Sequence, residues 1–119
     1  MKVNYLGHST FLLTIDGVKV LIDPFISPNE LAKNIDIQQI ECDYILVTHG
    51  HQDHVADLET IAQRTNAKIV SSFEITTWCE GKGLNNVHPM TLGGKWNFDF
   101  GTVKCVIAQH PSSFIDGSY

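Results

Sequence analysis

Three of the six histidines fall within six consecutive residues, His49-Gly50-His51-Gln52-Asp53-His54. Neutral imidazole nitrogens and carboxylate oxygens are common protein ligands of divalent cations, whereas the same rings repel one another once protonated. Taken singly, Asp53 reads as a helix N-cap and each histidine as a satisfied polar loop residue. Taken together they point to metal, because three such rings in one turn serve no stabilising purpose without a charge partner or a cation. In extended backbone His49 and His51 project to one side, while Asp53 and His54 stand at the entrance of the following helix and face a neighbouring position. Two adjacent cations are therefore geometrically accessible.

These residues need a rim to stand on. Tyr44-Ile45-Leu46-Val47-Thr48, just before them, is a continuous apolar run, the pattern of a central strand covered on both faces. After them Val55, Leu58, Ile61 and Ala62 recur at helical spacing, which predicts a helix from about Asp53 to Arg64. Upstream, strands are expected from Lys2 to Leu6, Thr10 to Ile15 and Val18 to Ile22. Asp16-Gly17 between the last two is a primed-turn hairpin signal. Asp23-Pro24 closes the third strand, and a loop or short helix runs on through Gln39. Downstream come a strand from Lys68 to Ser71, a helix from Phe73 to about Glu80 ended by Gly81 and Gly83, the segment Val87 to Met90, then Trp96 to Phe100 and a last strand, Thr102 to Ala108. Strand, helix, strand is the α/β rhythm. Gln109 to Tyr119 reads as a strand exit and a turn with nothing after it to cover the sheet edge, the pattern of a module cut partway.

Composition narrows the field. The 119 residues are 43% hydrophobic and 18% charged, enough apolar material for one packed core and too short a chain for two. A net charge of −5 without any basic cluster disfavours nucleic acid and anionic membrane as partners. No apolar signal core and no membrane-length apolar stretch is visible, so a cytoplasmic protein is expected. Cys42, Cys79 and Cys105 form no C-x-x-C pair and read as reduced, mostly buried thiols.

The run H-x-H-x-D-H after an apolar strand ending in Thr48 resembles the metallo-β-lactamase superfamily. Gly7-His8-Ser9-Thr10-Phe11, Leu21-Ile22-Asp23-Pro24-Phe25, Asp43 to Thr48 and Val87-His88-Pro89-Met90 are similar to the metal-dependent hydrolases related to ascorbate-6-phosphate lactonase, the UlaG-like group. The resemblance covers essentially the whole chain. It implies an αββα sandwich, of which residues 1–119 would form a single partial domain, the N-terminal half: a mixed sheet with helices on one face. It also implies a site. His49, His51 and His110 would bind one divalent cation, and Asp53 and His54 would contribute to a second, with zinc or manganese as the metals and one at most well held here. His110 fits because it follows the predicted strand Thr102 to Ala108 and so reaches the same sheet edge as His49. Asp23 matches a family aspartate near the metals and would orient a ligand histidine. His8 in the opening turn would stand beside the site, as second support or substrate contact. His88 reads as structural, and the Ser112-Ser113 pair as turn caps or substrate contacts.

What the resemblance implies chemically is hydrolysis. A divalent ion lowers the pKa of its water from 15.7 toward about 7, Asp53 would hold or deprotonate that water, and an ester, lactone or phosphodiester bond of a small molecule would be opened. Redox relatives on this fold resemble H-x-E-x-D-H, and His51 in place of that carboxylate favours the hydrolytic site. The family pattern also includes a bridging carboxylate, typically in a Gly-Asp-Thr context, and a final histidine, neither of which follows here. The competing expectation is therefore a non-catalytic metal-binding fragment that associates with itself or with a complementary half; a homo-oligomer is expected in either case.

Overall fold

The computed structural model describes residues 1–113, 116 and 118; positions 114, 115, 117 and 119 of the expected terminal turn lie outside the described residues. The chain opens with three strands, β1 (Lys2–Gly7), β2 (Thr10–Ile15) and β3 (Val18–Ile22). β2 and β3 form the expected hairpin: Ile15 pairs with Val18, and Asp16 and Gly17 both have positive φ, 50° and 88°. Two single 3-10 turns, Glu30–Ala32 and Ile37–Gln39, occupy the long connection that follows. Then come β4 (Tyr44–Leu46), α1 (Gln52–Val55), α2 (Leu58–Thr65), β5 (Lys68–Ser72), α3 (Phe73–Gly81) and β6 (Val87–Met90).

β1 to β6 form one six-stranded sheet in chain order. β1, β2 and β3 pair antiparallel, and β3, β4, β5 and β6 pair parallel. A last antiparallel pair, β7 (Lys95–Phe98) and β8 (Gly101–Lys104), forms a separate two-stranded sheet. One sheet face carries the helices. Leu21, Ile45 and Ile69, in register across β3, β4 and β5, are 0–1% exposed and share one cluster with Leu58, Ile61 and Ala62 of α2 and Ile75 and Cys79 of α3. On the opposite face Tyr44 lies edge-on to Phe98 and Phe100, with ring centroids 5.5 and 4.7 Å away. His88 packs there between Trp96 and Phe98, a structural placement as expected. β4 is thus covered on both sides, as its unbroken apolar run requires.

Several boundaries differ from the sequence expectation, three of them with consequences for the site. The helix predicted over 53–64 is broken at Asp57, whose φ and ψ of −104° and 4° are not helical. Its buried carboxylate accepts the backbone amides of Ile26 and Ser27 at 2.6 and 2.9 Å and the Ser27 hydroxyl, so satisfying the loop that follows Asp23-Pro24-Phe25 overrides an unbroken helix. β4 stops at Leu46, although Val47 still donates to Val70 at 3.1 Å. β8 stops at Lys104 rather than Ala108 and belongs to the small sheet, so His110 approaches the site from a second layer and not along the main sheet.

Cys42 and Cys79 are buried and Cys105 is half-buried, all three free. Burial pushes the thiols of Cys42 and Cys79 up to about 11, which leaves roughly one part in a thousand as thiolate at pH 8. Iodoacetamide at that pH should therefore add a single label to the native chain, at Cys105, and three after unfolding, as read by mass spectrometry.

Candidate metal centre

The topology brings separate segments to one edge. β3 and β4 run parallel, and β1 runs with them because two antiparallel pairings intervene, so the segments leaving all three emerge at the same rim. That rim is the carboxyl end of the parallel strands, where side chains of open α/β sheets converge. His8 leaves β1, Asp23 leaves β3, and His49, His51, Asp53 and His54 follow β4.

Two donor groups result. His49, His51 and His110 form one, and His8, Asp53 and His54 the other; within each, the candidate ligand atoms all lie within 4.8 Å of one another. In the first, His51 Nδ1 lies 3.0 Å from His49 Nε2 and 3.2 Å from His110 Nε2. The groups are neighbours, with the His49 and His54 rings 4.1 Å apart.

Asp23 sets the orientation of both. It is 2% exposed, and its carboxylate accepts the Thr48 amide at 2.7 Å, the Thr48 hydroxyl at 2.7 Å and His54 Nδ1 at 2.8 Å. Because Thr48 spends its only hydroxyl proton on Asp23, its oxygen accepts from His49 Nδ1, 2.9 Å away. His49 and His54 are both fixed as Nδ1–H tautomers with their Nε2 lone pairs turned inward. The backbone of Asp23 is bound as well, its amide donating to Leu46 and its carbonyl accepting from Thr10 Oγ1 at 2.7 Å. Asp23 and His8 have φ of 45° and 51°, so two of the four non-glycine residues with left-handed backbone among the described residues stand at this site. Gly7, before His8, meets a related demand: its φ of 104° suits glycine, and a Cβ there would displace the Asn29 side-chain nitrogen, 2.7 Å away.

The donor chemistry fits a divalent cation. His49 Nε2 has no proton to give, and a single nitrogen of His51 cannot satisfy two imidazoles with one proton. The spacings of 3.0 and 3.2 Å are close to the roughly 3.3 Å edge of a tetrahedron of nitrogens around zinc. Burial, and after it the neighbouring His54, His51 and His110, hold the His49 imidazole below its ordinary value, which keeps its lone pair free at neutral pH. Burial alone would raise the Asp53 carboxyl. Its own backbone amide, the His8 hydrogen bond and the nearby histidines outweigh that and hold it below the usual range, so it is ionised.

Each expected site residue thus reaches the rim, with one regrouping: His8 joins Asp53 and His54 through a 3.0 Å contact to Asp53 Oδ2. Ser112 accepts from the Gly50 amide at 3.1 Å and donates to the Ser113 carbonyl, which ties the His110 segment to the histidine run. Thr48 was not singled out from sequence. Its signal is the hydroxyl residue directly before the first histidine at the end of a strand.

With this geometry, residues 3–102 match the metallo-beta-lactamase superfamily, and the chain belongs to it. Among curated proteins, a UPF0173 metal-dependent hydrolase of Flavobacterium johnsoniae is 52% identical over 119 residues, covering 100% of this chain and 52% of its own. Another of that description, from Christiangramia forsetii, is 53% identical over 120 residues, covering 100% of this chain and 53% of its own. The chain therefore spans about half the length of the curated relatives it matches. Among solved structures, Igni18, described as a novel metallo hydrolase from the hyperthermophilic archaeon Ignicoccus hospitalis KIN4/I, superposes with a TM-score of 0.73 at 35% identity. The match covers 82% of this chain and 42% of that one.

Proposed function

We propose that this chain supplies a dinuclear metal centre for hydrolysis, in which metal-activated water attacks an ester, lactone or phosphodiester bond of a small molecule. The convergence of His49, His51 and His110 beside a carboxylate-histidine group carries this reading, and the relatives' description as metal-dependent hydrolases supports it. A divalent cation there supplies an acidified water and a Lewis acid. His49, His51 and His110 hold the first cation; their three imidazoles favour zinc over manganese. Asp53 and His54 serve the second. Asp23 keeps the His54 and His49 lone pairs aimed inward, and ionised Asp53 holds or accepts the proton of the attacking water.

A cavity of about 310 Å³ opens beside His49, lined by Thr48, Ser72, Glu74, Ile75 and Ser112, a size suited to a small substrate. A larger hollow, about 460 Å³, lies at the opposite end of the strands by Gly17 and Asn66, is lined by none of the metal-donor residues, and takes no part. No helix among the described residues is long and apolar enough to cross a membrane, and three free thiols accord with a reducing cytoplasm. The exposed Val3 and Tyr5 on edge strand β1 support self-association.

Elemental analysis after mild purification, paired with assays on an aryl phosphodiester and a lactone, tests the reading. Bound zinc or manganese and turnover should be present in the native chain and absent from a His49→Ala, His51→Ala variant. A native chain that takes up no divalent metal would refute it.

A further inference from the structure

The second donor group contains one residue that the metal motif does not supply. His8 lies 45 positions upstream of Asp53, in the turn leaving β1, yet its Nε2 stands 3.0 Å from Asp53 Oδ2. The ring is packed edge-on against Phe25, centroids 5.4 Å apart, and against His54 at 5.3 Å. Its backbone carbonyl accepts from the Tyr5 hydroxyl at 3.1 Å.

A plain ion pair does not account for the arrangement. The His8 and Asp53 side chains are 41% and 49% exposed, a setting in which such pairs add little stability. The left-handed backbone of His8, meanwhile, carries a cost for a residue with a Cβ. The third member is more telling. His54 gives its Nδ1 proton to Asp23, so its Nε2 presents a lone pair, and that lone pair faces Asp53 Oδ2 at 3.8 Å. Two acceptors confront one another with His8 Nε2 beside them, and a cation among the three relieves that confrontation.

We propose that His8 is a direct protein ligand of the second cation, completing with Asp53 and His54 a site of two nitrogens and one carboxylate. The inference rests on the dinuclear reading above and extends it. A metal position that the motif alone equips with two donors gains a third from the first turn of the fold, whose placement depends on Gly7 and on β1 running parallel to β3.

The test uses metal-stripped full chain titrated with zinc by calorimetry and with cobalt by absorption, native against His8→Asn. Asparagine tolerates the left-handed backbone, so the turn survives, while its amide is a poor zinc ligand. The native chain should take up two equivalents. In His8→Asn the first should keep its affinity, and the second should weaken at least tenfold with an altered cobalt spectrum. Nitrogen-15 spectra of the native chain should show the His8 ring shifting on the second equivalent. An unchanged second equivalent in His8→Asn would overturn the proposal while leaving the dinuclear reading intact. So would weakened binding with unshifted His8 nitrogens, which would make His8 a positioning residue acting through Asp53. A native chain that binds no second equivalent would defeat the dinuclear reading itself.

Discussion

Asp23→Ala is expected to cost the metal-free chain about 3 kcal/mol of stability and to lower its affinity for divalent metal by 10- to 100-fold at both positions. The carboxylate is 2% exposed and accepts three hydrogen bonds, from the Thr48 amide, the Thr48 hydroxyl and His54 Nδ1. Alanine leaves those groups without their acceptor and places a Cβ residue with no compensating side-chain bond at φ 45°. Asp23→Asn separates the two effects. The asparagine oxygen still accepts the Thr48 amide, and asparagine suits the left-handed backbone, so stability should fall by about 1 kcal/mol only. Its NH2 group, however, stands where Oδ2 accepted both the Thr48 hydroxyl and His54 Nδ1, and can accept from neither. The proton then moves to Nε2, and the second position loses its lone pair. Urea unfolding of the metal-free chains and calorimetric titration with zinc measure the two quantities. Equal metal affinity in Asp23→Asn and the native chain would show that the tautomer is not set by this carboxylate.

Asp57→Ala is expected to be as destabilising, about 3 kcal/mol by urea unfolding, but without a direct effect on metal binding by the molecules that remain folded. Asp57 is also 2% exposed and touches none of the donor atoms. It accepts the amides of Ile26 and Ser27, and its own amide donates to the Pro24 carbonyl at 3.0 Å. These bonds lock the loop after β3 to the break between α1 and α2. Removing the carboxylate strands two backbone donors in a buried setting at about 1–3 kcal/mol each before relaxation. A loss below 1 kcal/mol would mean that the loop is held by other contacts. The two aspartates thus differ in kind: one orients the donors, the other holds the frame around them.

Much of the fold was legible because local chemistry and tertiary demands agree. The Asp16-Gly17 hairpin, a central strand opening the run Tyr44 to Thr48 and a helix starting at Phe73 stand where turn residues, apolar continuity and caps place them. The failures are those where a distant partner decides. Nothing near Asp57 reveals that its carboxylate is claimed by Ile26 and Ser27, thirty residues upstream, so an apolar stripe continuous in sequence hides a broken helix. Likewise β8 ends early because, among the described residues, its partner is β7, which periodicity does not identify.

The candidate site was readable in its parts and less so in its grouping. Histidine density marks 49 to 54 without help, and the turn at His8 and the strand end at Asp23 are visible as positions. That His8 stands with Asp53, and that Thr48 relays Asp23 to His49, depends on strand order and on which proton each hydroxyl spends. Those facts live in the sheet topology and the hydrogen-bond network, one level above spacing.

Anomalous diffraction at the zinc edge, from crystals of the chain grown with zinc, bears most directly on the whole account. A peak about 2.1 Å from His49 Nε2, His51 Nδ1 and His110 Nε2 together is the expected result. Zinc bound elsewhere on the chain, with those three nitrogens still facing one another around an empty point, would contradict it.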